Sequence, residues 1–261
     1  MRLETLRPAG VDALVMFGLF TRERAVARGP KGRRAYAVGD IHGRLDLLDQ
    51  LLVAIEADLR SSTRPALLVF LGDLIDRGPQ SAQVIERLRT YRREGVQPVF
   101  LLGNHEEVLL RIIDGDAPLI AKWRWFGGTE CLMSYGVGRS ALDGLDEGQA
   151  LALVRKAIPP EHVEFLRGFV DTCRFGDYLF VHAGIRPGVE LSSQKQSDLR
   201  WIRDPFLADD TEHGFVVVHG HTISNTVEER SNRIGIDTGA YRTGVLTALG
   251  LEGSSQWLLS T

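Results

Sequence analysis

The chain has 261 residues, 44% of them hydrophobic and 25% charged, which suits a globular protein of one large α/β domain or two small ones. A net charge of −3 leaves no basic footprint for stable nucleic-acid binding. Two cysteines, Cys131 and Cys173, are too few for a disulfide framework, so a reducing, cytoplasmic setting is expected, with both as small buried hydrophobes.

Residues 1–33 read as a lead-in and basic linker ahead of one domain over 34–261. Val11–Phe20 is apolar but too short to span a bilayer. Asp12 and the lack of a small-residue cleavage signature argue against a signal peptide, so no membrane contact is expected. Arg22–Arg34 is basic and Gly-containing, a solvated linker with phosphate recruitment as the alternative.

From Arg34 the pattern alternates. Ala35–Val38 predicts a strand, and Arg44–Arg60 a helix with Leu45, Leu48, Leu52, Ile55 and Leu59 on one stripe. Ala66–Leu71 is a second strand, Ser81–Arg93 a second helix, Val96–Leu102 a third strand and Glu107–Ile113 a third helix. Such strand–loop–helix repetition means βαβ units, with ligands beyond the carboxyl ends of the strands. Those ends carry Asp40 and His42, then Asp73, then Asn104 and His105. Asp40 and His42, two apart in an extended segment, share a face, and carboxylate with imidazole is the ligand mix of a divalent transition metal. Helix capping would explain one such Asp or Asn; three in succession, each introduced by Gly, need more than capping.

Asp114–Thr172 reads as a helical insertion over one flank, with helical patterns at Gln149–Ala157 and Glu161–Phe169. Its aromatic stretch, Trp123 to Gly128, suits core or interface packing, with a substrate platform as the alternative. Beyond it, Phe175–Val181 predicts a strand ending at His182, and Phe215–Val218 one ending at His219-Gly220-His221. Ile234–Asp237 leads into Thr238-Gly239, and Val245–Leu249 and Gln256–Leu259 look like closing strands.

Taken together, Gly39-Asp40-Ile41-His42-Gly43, Gly72-Asp73-Leu74-Ile75-Asp76-Arg77-Gly78, Gly103-Asn104-His105-Glu106, His182-Ala183-Gly184 and His219-Gly220-His221-Thr222 occur in one order. The set resembles the phosphoprotein phosphatase branch of the calcineurin-like metallophosphoesterases in its bacterial and phage form, from about Arg34 to Leu249. The resemblance implies an α/β fold of two packed mixed sheets flanked by helices, four layers with a helical insertion, and two divalent metals at the sheet edge. It implies Asp40, His42 and Asp73 as ligands of one metal, with Asp73 bridging and Asn104, His182 and His221 completing the other. Manganese is the first choice, and iron, zinc, cobalt or nickel would suit the same donors. His219 is placed as a supporting or structural residue.

The same resemblance makes Arg77 and Arg203 the phosphate clamps, since a planar guanidinium matches two phosphoryl oxygens, with Asn104 beside them and Arg186 as competitor for Arg203. His105 would be the general acid, oriented by Asp76. The implied reaction is direct attack of activated water on phosphorus, and neither cysteine sits in a Cys-x5-Arg phosphate loop. Expected substrates are phosphorylated proteins or peptides and small phosphomonoesters. A symmetric dinucleoside tetraphosphate hydrolase is the runner-up, for which Ala-Arg-Gly and His-Asp would be expected in place of the Asp76 and Glu106 contexts. A phosphodiesterase and a non-catalytic metal-binding scaffold stand further off.

Overall fold

The computed structural model describes residues 26–62 and 64–261, and the predicted lead-in over Val11–Phe20 lies outside them, with the first residues of the basic linker. The first half of the chain runs β1 (Arg34–Val38), α1 (Leu45–Leu59), β2 (Ala66–Phe70), α2 (Ser81–Arg89), β3 (Val96–Phe100) and α3 (Asn104–Asp114). The insertion follows as α4 (Leu119–Trp123), a π-helical turn (Arg124–Gly128), α5 (Thr129–Ser134), α6 (Glu147–Ala157) and α7 (Pro160–Arg167). Then come β4 (Thr172–Phe175), β5 (Tyr178–Val181), α8 (Gln196–Trp201), β6 (Val216–His219), β7 (Glu228–Glu229), β8 (Arg233–Gly235), α9 (Ala240–Thr243), β9 (Thr247–Glu252) and β10 (Ser255–Ser260).

The strands form two five-stranded sheets, ordered β10-β9-β1-β2-β3 and β4-β5-β6-β8-β7. β1, β2 and β3 are parallel, as βαβ crossovers through α1 and α2 require. Pro98 is tolerated in β3 because that strand is an edge, where a missing N–H breaks no central ladder.

Side-chain alternation along β1 sets the layers. Ala35 and Ala37 face the second sheet, among Leu67, Val69, Tyr178, Phe180 and Ile234. Tyr36 and Val38 face the helices, among Leu48, Leu52, Ile55 and Phe70. A third cluster, including Leu179, Val181, Val217, Leu199 and Phe206, covers the outer face of the second sheet. Hence four layers form: helices, sheet, sheet, and an outer layer holding α8. The insertion helices join the first cluster through Trp123, Leu132, Val154 and Leu166, on the helical flank of the first sheet.

Three local predictions shift, and the closing strands take a place the sequence pattern left open. The segment Phe175–Val181 is not one strand: Gly176, at φ 60°, turns a hairpin between β4 and β5. The second helix stops at Arg89 rather than Arg93. The third helix starts three residues earlier than the apolar pattern suggests, placing Asn104 and His105 in its first turn. The closing strands return to the first sheet, where β9 pairs antiparallel with β1.

Truncation of the fully buried inter-sheet Phe180 to Ala should cost about 3–5 kcal/mol in urea denaturation. Leu258→Ala, at a side chain 45% exposed on edge strand β10, should stay within about 0.5 kcal/mol.

Candidate active site

The loops leaving β1, β2, β3, β5 and β6 converge at the strand carboxyl ends. Residues Ile41 and His42 both donate their backbone N–H to Asp73 O, at 3.1 and 2.9 Å, while Gly43 N reaches Leu74 O at 2.8 Å and Gly78 N returns to His42 O at 3.0 Å. The first two loops are therefore interlocked through backbone. The interlock bends them hard. Among the described residues the non-glycine positions at positive φ are His42, Asp73, Asp76, Arg77 and His221, from 47° to 71°. Each costs on the order of 1 kcal/mol or more and persists because neighbours over-determine it.

Glu106 fastens the third loop to the second. Its buried carboxylate accepts N–H from Asp73 at 2.9 Å, Leu74 at 2.7 Å, Ile75 at 3.3 Å and Gly103 at 3.1 Å. The Gly103 bond also caps α3, so one side chain fixes both the helix start and the loop carrying Asp73. The local pattern accounts only for the bond to Gly103, three residues away; the partners on the second loop, Asp73, Leu74 and Ile75, lie more than thirty residues away.

The imidazoles divide into two kinds. His42 Nδ1 lies 2.8 Å from Ile75 O, and His182 Nδ1 lies 2.8 Å from Leu71 O. A carbonyl only accepts, so both rings are protonated at Nδ1 and turn an Nε2 lone pair toward the pocket. Burial lowers the pKa of His42 and His182 and takes His221 down to about 3, so all three are held neutral. His105 goes the other way: burial pulls it down, but the charges of Asp73 and Asp76 outweigh that and raise it. Its Nδ1 lies 2.6 Å from Asp76 Oδ2.

Asp73 is the centre. Its carboxylate oxygens lie 3.6 Å from His42 Nε2, 3.5 Å from His182 Nε2 and 3.9 Å from His105 Nε2. Burial pushes its pKa up, and whatever positive charge the surrounding imidazoles carry, His182 first, draws it down, with a net lowering. Asp40 is raised by burial and then by Asp237 and Asp73. Its Oδ2 accepts the His221 backbone N–H at 3.0 Å, whereas Oδ1 is buried without a partner.

On the far side of His105, Arg77 Nη2 lies 3.1 Å from Nε2, and its guanidinium stacks 4.7 Å over the Tyr241 ring. Arg203 is exposed and, among the described residues, makes no side-chain hydrogen bond or ion pair; its charge is felt at His182 and His221. Arg186, its sequence competitor, is tied to Asp198 by bonds of 2.9 and 2.7 Å. His219 packs edge-on against Phe206 at 5.1 Å and joins neither carboxylate–imidazole group.

Sequence comparison places this geometry. The profile of the calcineurin-like phosphoesterases matches residues 33–243. The chain belongs to the calcineurin-like phosphoesterase family. A symmetrical bis(5'-nucleosyl)-tetraphosphatase of Legionella pneumophila is 31% identical over 69% of this chain and 54% of its own length. The chain thus spans about half of that relative. The asymmetrical tetraphosphatase PrpE of Anoxybacillus flavithermus is 27% identical over 81% of this chain and 88% of its own. Among solved structures, a candidate diadenosine tetraphosphatase superposes with a TM-score of 0.61 at 22% identity, covering 90% of this chain and 98% of that one. A cold-active protein-tyrosine phosphatase from a psychrophilic Shewanella follows at 0.52 and 17%, covering 89% and 83%. These likenesses support the fold of two mixed sheets flanked by helices.

Calcineurin-like phosphoesterases use a dinuclear divalent metal centre, and the residues here fit one. Two groups of donors share Asp73: His42 with His105, and His182 with His221. Asn104 Oδ1 faces the His182 Nε2 lone pair at 3.0 Å, two acceptors turned on each other as a cation between them would require. His221 Nε2 and Asp40 Oδ1 are buried and unpartnered. His105 falls within reach of the first group, but Asp76 and Arg77 already occupy its two nitrogens.

Sequence reasoning passed over four residues that the fold brings here. Glu106 and Trp123 support the loop from β2, Trp123 through bonds to Asp76. Tyr241 sets its ring against His42 at 5.3 Å and beneath Arg77. Asp237 adds a buried carboxylate beside Asp40, with burial first among the causes that push it up to about 6. A signal existed for the last two, since Asp237 and Tyr241 flank a Gly-containing turn after a strand, but no metal-type neighbour drew attention to it.

Glu106→Gln removes one acceptor oxygen and sets an NH2 against backbone donors; about 1–3 kcal/mol per orphaned N–H predicts a clear fall in Tm with lower metal content by elemental analysis. Chelation should lower Tm by roughly 5–10 °C, since a ligand at 100 Kd contributes about 2.7 kcal/mol, and calorimetry with manganese restored should reverse the loss.

Proposed function

We propose that the chain is a metal-dependent phosphomonoester hydrolase whose substrates are phosphoserine, phosphothreonine or phosphotyrosine in proteins or peptides, together with small phosphomonoesters. The observation that carries this reading is the 2.6 Å pairing of His105 with Asp76. An alkoxide is a far more basic leaving group than a nucleotide phosphate, so a proton donor built into the site serves phosphomonoester cleavage most.

Asp40, His42 and Asp73 would hold one divalent ion, and Asp73, Asn104, His182 and His221 the other. Bound there, two such ions supply positive charge to phosphoryl oxygens and lower the pKa of an attacking water. Manganese is our first choice of metal. Arg77 and Arg203 bind the phosphoryl group. On engaging it, Arg77 frees His105 Nε2, which takes up a proton from solvent, as the charges of Asp73 and Asp76 favour, and then gives that proton to the leaving oxygen. Asp76 keeps that ring in the Nδ1-protonated form and favours its cationic state.

The second reading, hydrolysis of a dinucleoside tetraphosphate, draws on the names of the sequence relatives. One feature of the surface favours it. Trp125 is 89% exposed and stands two residues before Gly127, whose carbonyl accepts the Arg77 backbone N–H at 3.2 Å, so an indole free to stack on a base sits on the segment that backs Arg77.

Metal-stripped protein with manganese restored should show higher kcat/KM on a phosphopeptide set than on diadenosine tetraphosphate; the reverse preference installs the second reading. His105→Asn should cut kcat on alkyl phosphates by about 10²-fold with metal content unchanged. Loss of metal in that variant would make His105 a ligand instead.

A further inference from the structure

We propose that Trp123 is a positioning residue for the proton-donating pair, holding Asp76 so that His105 meets the leaving group in one orientation. The proposal rests on the assignment of His105 as general acid made above.

Trp123 is 1% exposed, and its indole Nε1–H donates to both oxygens of Asp76, at 3.1 and 3.0 Å. Asp76 Oδ2 is shared between that indole and His105 Nδ1. An indole N–H only donates, and a buried carboxylate needs donors, so the two groups satisfy each other. Asp76 lies at φ 71° on the loop after β2, while Trp123 ends α4 of the insertion. The bond therefore joins the insertion to the strand-end loop at a residue one step from substrate.

The segment after Trp123 is shaped for this contact. The π-helical turn over Arg124–Gly128 places Gly127 at φ 113°, and Gly127 O takes the Arg77 backbone N–H at 3.2 Å. A Cβ on Gly127 would run into the Arg77 backbone, and one on Gly128 into the Trp123 indole. Two adjacent residues of the catalytic loop, Asp76 and Arg77, are thus held by one short stretch: the first through an indole, the second through a carbonyl. Packing alone would be served equally by Phe or Leu. A doubly shared N–H on the acid's own partner serves orientation.

The test is a leaving-group series on manganese-loaded protein, from 2,4-dinitrophenyl phosphate to an alkyl phosphate, for parent, W123F and H105N. W123F should lose about 10–100-fold in kcat on the alkyl ester and about threefold or less on the activated ester, with KM and metal content unchanged. Replacing Trp123 by 3-benzothienylalanine, which keeps the bicyclic shape and lacks the N–H, should reproduce that steepened dependence with Tm near the parent's. This guards against a W123F result that reflects a cavity. Equal losses across the series, or none in the benzothienyl variant, would overturn the role of Trp123. If H105N shows the leaving-group dependence and the Trp123 variants do not, the acid assignment stands and only the positioning proposal falls. A parent-like dependence in H105N removes the acid assignment, and the role of Trp123 with it.

Discussion

A cluster of buried carboxyl groups is the constraint around which the molecule is built. Asp40, Asp73, Asp76, Glu106 and Asp237 are each 3% exposed or less and gather at one end of the sheets. Unpaired burial of even one carboxylate is expensive, so every one must be answered. Glu106 is answered by four backbone N–H groups, and Asp76 by an imidazole and an indole. Asp73 faces imidazoles, two of which burial keeps neutral, and Asp40 leaves one oxygen unanswered. The shortfall is positive charge, which the metals of a calcineurin-like phosphoesterase would supply.

That constraint explains the stiffness of the site. Five non-glycine residues at positive φ would be a liability in a loose loop. Here the loops from β1 and β2 exchange backbone bonds, Glu106 fixes the third loop, and the insertion grips Asp76 and Arg77 from outside. The sheets below contribute rigidity and placement, since parallel strands deliver their carboxyl ends to one edge. Small residues at Ala35 and Ala37 on the inner face of β1 let the second sheet approach, bringing His182 and His221 into range.

Much of this was legible in advance where the signal is local. Period-two and period-3.6 patterns gave the order of strands and helices, and Gly-introduced polar clusters marked the strand ends. Two predictions shift for different reasons. Gly176-Asp177 is a local turn signal inside the segment expected as one strand, and it closes the β4–β5 hairpin, whereas the third helix begins early because Glu106 caps it while reaching residues 73–75. The tryptophans divide by environment: Trp123 is buried on a carboxylate and Trp125 faces solvent, a distinction absent from residue type and spacing.

The sequence by itself determined the family, the α/β alternation and the set of carboxylates and imidazoles at the strand ends, because each is written in short-range spacing. Only the tertiary structure decided which of those groups meet. It separated His105, held toward its protonated form by Asp73 and Asp76, from His42, His182 and His221, held neutral by burial. It locked Arg186 onto Asp198 and left Arg203 exposed, and it brought Glu106, Trp123, Asp237 and Tyr241 to the site. Desolvation and hydrogen-bond partnership are properties of a three-dimensional neighbourhood, assembled from residues that lie from three to 181 positions apart.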